Sequence, residues 1–193
     1  FTGKEIFSDL RLIRLRSDTV YKSDFELYRK HFPRHCLLET GLSSTETGWF
    51  RSCFFDHDSD LTGHEVPVGY PLEDKEVWLV DADGRRIGFN EIGEIVVRSR
   101  YLPPGYWRRP DLTVAKFKPD PEGSDKRICF TGDLGLMLPD GCLFHKGRAD
   151  FRVKVRGYSV ELAEVEKRLV DHPGVRETVV IASKDKMGEN RLV

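Results

Sequence analysis

Three short stretches carry side chains whose types and spacing could do chemistry. GLSSTETG, residues 41–48, sets four hydroxyls and one carboxylate, Glu46, between two glycines directly after an apolar strand. Open α/β sheets bind ligands at such strand ends. Hydroxyls and free amides there can hold phosphate oxygens, and a single carboxylate can hold one Mg²⁺ that keeps its waters. The same composition also describes a solvated polar loop. TGD, residues 131–133, offers Asp133 either as acceptor for both hydroxyls of a ribose or as the cap of a turn. KGRAD, residues 146–150, brings Arg148 and Asp150 to a joint just before the alternating run DFRVKVRG. The basic face of that run, Arg152, Lys154 and Arg156, is also what a solvated edge that blocks strand pairing would show. His57 and His64 lie beside Asp56, Asp58 and Glu65 without metal-ligand spacing, and no Ser, His and Asp arrangement marks a hydrolase.

The elements that must position these groups fall into three patterns. LRLIRL, residues 10–15, reads as a buried strand. SDFE, residues 23–26, fits a capping box led by Ser23 and Glu26, ahead of a helix bearing Phe25, Tyr28 and Phe32 and stopped by Pro33. A short strand, CLL at 36–38, follows, so that GLSSTETG emerges as a loop from an α/β unit. From about residue 66 hairpin signals take over: EVWLVD and EIVVRS around the DADG turn, then LGLML and CLFHKG around PDG. Pro103, Pro104 and Pro110 favour irregular loops over helix between them. After Phe151 a strand, a helix capped by Ser159 (VELAEVEKRLVDH, apolar at Leu162, Val165 and Leu169) and a strand in VRETVVIAS form an α+β unit. The expected divisions are 1–65, a distal α/β part; 66–147, a β-rich part; and 148–193, a hinge with half of a small α+β unit.

Composition limits what these parts can do. The 31 Lys and Arg against 32 Asp and Glu leave a formal charge of -1, so no global field pulls the chain toward nucleic acid or anionic lipid. Cys36, Cys53, Cys129 and Cys142 show no CxxC spacing, which predicts reduced thiols in a cytoplasm. No apolar run reaches bilayer length.

Taken in order, GLSSTETG, GEIVVRSRYLPPGYWRRPDLT (93–113), FTGDLG (130–135) and GRADFRVKVRGYSVELAEVE (147–166) resemble the later core motifs of adenylation domains. These belong to the AMP-forming adenylate and acyl-CoA synthetase superfamily. The last motif, GRxDxxVKxRG followed by VEL, is similar to the nonribosomal peptide synthetase form, whereas acyl-CoA synthetases carry a proline before the corresponding helix. The resemblance runs from about Leu10 to the end of the chain. It implies an α/β and α+β fold: the distal α/β unit of an adenylation core, its antiparallel β subdomain, and the truncated start of a swinging C-terminal subdomain.

The implied activity is ATP-dependent activation of a carboxylic acid, an amino acid for this branch, as an acyl adenylate. The acyl group then passes to the phosphopantetheine thiol of a carrier protein. By the resemblance, Thr45 contacts phosphate and Glu46 holds Mg²⁺, both as catalytic residues. Asp133 and Arg148 take the ribose, Asp150 is the hinge, and Gly157 lies where the thiol approaches. Gly41, Trp49 and Phe50 fall at the acid pocket, where two large rings would shorten the site and favour small or flat acids. Two departures stand out. Leu42 replaces the aromatic residue expected two places before Ser44, and Phe130 stands where an Arg precedes TGD. The family's phosphate-loop lysine and C-terminal lysine match nothing in the 193 residues, so the chain is expected to be part of a longer protein and inactive by itself. A fatty-acyl or aryl-acid ligase of the same superfamily, and a non-catalytic interaction module that keeps the fold, remain as alternatives.

Overall fold

The computed structural model describes residues 7–16, 19–61, 63–149, 152–155, 158–184 and 190–193. It divides into two compact units, Phe1–Lys146 and Gly147–Val193.

The first unit opens with β1 (Leu12–Leu15), α1 (Lys22–His31) and β2 (Leu37–Ser44), with β1 and β2 parallel. A helical crossover is what joins parallel neighbours. Helix α1 starts earlier than the SDFE pattern suggests. Tyr21 is its N-cap, and Asp24 accepts the Tyr21 amide at 2.8 Å, so Ser23 sits inside the first turn. A bridge between Tyr21 and Glu65 anchors that start. Phe25 and Tyr28 are buried on the sheet with Leu38, Phe55 and Leu61. Strand β2 does not stop at Leu38. It runs through Gly41–Ser44 and turns at 45–47 into antiparallel β3 (Gly48–Phe55), which pairs in turn with β4 (Tyr70–Pro71). Half of the expected loop is therefore strand, because cross-strand pairing satisfies its backbone where composition alone suggests a polar coil.

The second sheet contains β5 (Glu76–Val80), β6 (Ile92–Ser99), β8 (Arg127–Met137) and β7 (Phe117–Pro119) in that order, with β9 (Leu143–Arg148) also paired to β8. Ile95, Val96 and Val97 of β6 are all fully buried: Ile95 and Val97 join one cluster with Leu79 and Leu143, and Val96 joins another with Val80 and Ile128. A strand covered on both faces reads as the continuous apolar run EIVV rather than as an alternation. The β8–β9 turn forms on PDG as expected, with Gly141 at φ +86° and its amide on Leu138 O at 2.9 Å. Around DADG the chain makes a local turn at Gly84, but the two strands it separates pair only from Val80 and Glu94 outward. Pro110 does not disrupt helix. It is the first residue of α2 (Pro110–Lys116), where a missing amide is harmless and the fixed φ suits a helix start.

In the second unit β10 (Arg152–Val155) pairs antiparallel with β11 (Tyr158–Glu161), and α3 (Leu162–Val170) follows. Ser159 lies within β11 opposite Lys154, and the N-cap is Glu161, so the expected cap is displaced by two residues of strand pairing. Regular strand in VRETVVIAS is confined to β12 (Ala182–Lys184), which pairs with β13 (Asn190–Leu192).

Candidate functional site

Glu46 lies in the β2–β3 turn, and four hydrogen bonds build that turn. Ser44 Oγ and Thr47 Oγ1 are 2.9 Å apart, and the Thr47 amide donates to Ser44 Oγ at 3.2 Å. Thr47 Oγ1 donates to Gly48 O, and Lys75 Nζ donates to Thr47 O at 3.0 Å. Thr47 is fully buried, while Thr45 beside it is exposed. Gly48 holds φ +61°, the left-handed conformation that closes the turn.

The Glu46 carboxylate is partly buried. Tyr106 donates its hydroxyl to Glu46 Oε1 at 2.6 Å. Burial pushes the carboxyl up, but the Tyr106 hydroxyl, backbone and Ser44 hydrogen bonds and the Lys116 charge together outweigh it and hold Glu46 below the usual glutamate range. Tyr106 is placed by its amide on Thr113 Oγ1 at 2.9 Å and by an edge contact to Phe117, with ring centroids 5.8 Å apart. An ionised carboxylate in a turn fits a hard cation that keeps most of its water. Among the described residues no cluster of three or more His, Cys, Asp and Glu gathers around a metal position.

TGD proves to be neither a loop nor a simple turn. Between the pairs Glu94↔Leu134 and Val96↔Phe130, residues 131–133 of β8 lie opposite Ile95 alone. This bulge puts Gly132 at φ +76°, and bulges re-aim side chains in this way. Side chains fasten it: Thr131 Oγ1 donates to Ile95 O at 2.8 Å, the Asp133 amide donates to Thr131 Oγ1 at 3.0 Å, and the Gly132 amide donates to Glu94 Oε1 at 2.8 Å. Asp133 is buried, with one carboxylate oxygen 3.7 Å from His145 Nε2. Thr19 Oγ1 lies 3.3 Å from Nδ1 of the same imidazole.

The two carboxylate stretches meet through α2. Lys116, at its C-terminal end, donates to Thr131 O at 2.8 Å while its charge acts on Glu46. An open cavity of about 460 Å³ lies beside them, lined by Glu94, Tyr106, Leu112, Ala115, Lys116 and Phe130. No local pattern in the sequence marks Tyr106, Lys116, Glu94 or His145 as site residues. Tyr106 stands inside the 93–113 motif and Lys116 on the helix that the prolines argued against.

The remaining site residues are placed unevenly. Gly41 and Trp49 meet: a side chain at Gly41 would run into the Trp49 ring. Phe50 does not join them. It is the extra residue where the β2–β3 register shifts, and its ring is fully buried in the larger core. One large ring, Trp49, is therefore partly exposed at that position, and the Phe50 ring is not. Arg148 ends β9 and falls within the second unit. Asp150 and Gly157 lie outside the described residues.

The family profile of the AMP-binding enzymes matches residues 2–107. The chain belongs to that family. Tyrocidine synthase 3 of Brevibacillus parabrevis is 34% identical to it over 162 residues, 84% of this chain and 2% of that protein. A four-domain nonribosomal peptide synthetase, solved with AMP and glycine, superposes with a TM-score of 0.70 at 27% identity, over 94% of this chain and 13% of that one. An anthranilate CoA ligase, solved with anthranoyl-AMP, gives a TM-score of 0.72 at 26% identity, over 98% of this chain and 34% of that one. The chain thus spans a small part of the relatives it matches. Among its described residues, no helix is long and apolar enough to cross a membrane.

Proposed function

We propose that this AMP-binding chain carries the nucleotide-facing and metal-facing part of an enzyme that activates a carboxylic acid, an amino acid, as its acyl adenylate. The acyl group then passes to a carrier-protein phosphopantetheine. The observation that carries this reading is the link from Glu46 through Tyr106 and Lys116 to the Thr131–Asp133 bulge. It ties an ionised carboxylate and a cation to the bulge that carries Asp133, with Tyr106 and Lys116 lining an open cavity.

In this reading Asp133 accepts the ribose hydroxyls, and the bulge sets its direction. Arg148 takes the same sugar, and Thr45, exposed at the turn, donates to phosphate. Mg²⁺, held by Glu46, would neutralise charge on the phosphates. Tyr106 and Lys116 keep Glu46 ionised for that purpose. The hinge at Asp150, the thiol approach at Gly157, and the division of the chain at 65/66 and 147/148 complete the proposal.

The test is acid-dependent ATP–pyrophosphate exchange by the full-length protein that carries these residues, with a panel of amino, aryl and fatty acids. Exchange with an amino acid that is lost in Glu46→Ala supports the reading. Absence of exchange with every acid would leave an interaction module. The similarity to the anthranilate CoA ligase favours an aryl-acid ligase as the second reading, and exchange with aryl acids alone, followed by transfer to free coenzyme A, would select it.

A further inference from the structure

The β1–β2–β3 sheet has two unlike faces. Ile13, Leu15, Leu38 and Phe55 turn toward α1 and its apolar cluster. In the register, Arg14 lies beside Glu39 and Gly41 beside Ser52, so alternation along each strand sends these side chains, with Arg16, to the opposite face. That face carries the exposed Leu37 and Phe54 and, around Glu39 and Gly41, a polar cluster. Glu39 is buried, accepts the Ser52 hydroxyl at 2.8 Å on Oε1, and is ion-paired through Oε2 with Arg14 Nε. The Trp49 ring packs on Gly41, and the guanidinium of Arg16 lies over the ring, with Cζ 2.9 Å from its centroid; that of Arg14 is 5.6 Å away.

Two features of this cluster point to a ligand. Its described residues carry two guanidinium groups against one carboxylate, so one positive charge is left over. Glu39 Oε1 accepts from Ser52 and Oε2 is ion-paired with Arg14 but accepts no hydrogen bond, while Trp49 Nε1 is buried with no hydrogen-bond partner among the described residues. A buried donor without an acceptor is costly, and a planar guanidinium suits a carboxylate in two-point contact. From Gly41 to the end of β2 at Ser44 is about 10 Å of strand, the scale of a small extended acid whose activated carboxyl lies near Glu46.

We propose that this face selects an acid bearing a second anionic group, received by Arg16 and Arg14 beside Trp49. The inference rests on the adenylation reading and names the substrate class of that site: a short dicarboxylic acid or an acidic amino acid. Glu39 acts as a positioning residue by orienting Arg14.

The experiment compares matched pairs, aspartate with asparagine, glutamate with glutamine and succinate with succinamate, in ATP–pyrophosphate exchange by the full-length protein. The anionic member of at least one pair should exchange at least tenfold better in kcat/KM. Arg16→Ala should abolish that preference with the change in KM, and Arg16→Lys should restore part of it. Because Arg16 is exposed, the variants should keep the wild-type unfolding midpoint. Exchange with neutral acids that ignores Arg16→Ala overturns this inference and leaves the adenylation reading standing. No exchange with any acid overturns both.

Discussion

The two units of this chain use the same kinds of element to different depth. In residues 7–146, β6 is covered on both faces, α1 closes one sheet, and even Arg51 is buried, its guanidinium donating to Gly69 O at 3.1 Å and Gly141 O at 2.9 Å. Burial pulls that guanidinium down to about 10. In residues 147–193, Val180 is the one buried apolar side chain among those described, α3 has none, and Val179 and Ile181 are 76% and 56% exposed. The hairpin and helix of the second unit are held by pairing and local contacts, including the Val180 amide on Glu166 Oε1 at 2.8 Å. Apolar area removed from water dominates stability. Asp133 is buried and Glu46 partly buried within the first unit, while the shallower unit has the composition of a part that opens at low cost.

Hydrogen exchange gives the largest contrast. Amides of β6 should be protected at least about 100-fold more than those of α3, because local opening of α3 exposes little apolar surface. Equal protection would erase the distinction. Core truncation sharpens it: Ile95→Ala should destabilise the chain by about 2–5 kcal/mol, while Val179→Ala should stay within about 0.5 kcal/mol, both read from denaturant unfolding. A smaller effect is expected at the joint. Gly147 holds φ +79°, and a side chain there would collide with the Glu161 carboxylate. Gly147→Ala should cost about 1–3 kcal/mol, visible as faster exchange in α3 with β6 unchanged, and loss of β6 protection would contradict separate units.

The smallest effect concerns the Glu46 carboxyl. Its lowered value means a stabilising contribution that is present above the unfolded glutamate range and is lost as pH falls through the folded value. Tyr106→Phe removes one of the groups holding it down. The NMR titration of Glu46 should then move upward and the acid limb of stability toward higher pH. An unmoved titration would mean that the Tyr106 hydroxyl does not act on the carboxylate.

Much of this was legible in the residues, and the failures share a cause. Apolar runs such as EIVV and the PDG turn are local signals, and they mark β6 and the β8–β9 turn correctly. GLSS and TGD look like loops because glycine and hydroxyls suit turns, yet β3 and β6 supply partners that keep both stretches in sheets. Pro110 and Ser159 suit a break and a cap by residue type, but neither residue reveals where the neighbouring helix or strand begins and ends. Glu46 and Asp133 could be named from their motifs. Tyr106 and Lys116 could not, because their part depends on α2 bringing distant positions together.

The most direct test of the central claim, that the bulged β8 strand presents a nucleotide-binding carboxylate, is equilibrium ATP binding by the full-length protein, its Asp133→Ala variant and its Val179→Ala variant. A charge-assisted grip on the ribose is worth about 1.5–3 kcal/mol, so Asp133→Ala should weaken ATP binding about tenfold or more while Val179→Ala leaves it unchanged. If Asp133→Ala keeps the wild-type ATP affinity and only lowers the unfolding midpoint, Asp133 serves the bulge alone and the account is wrong.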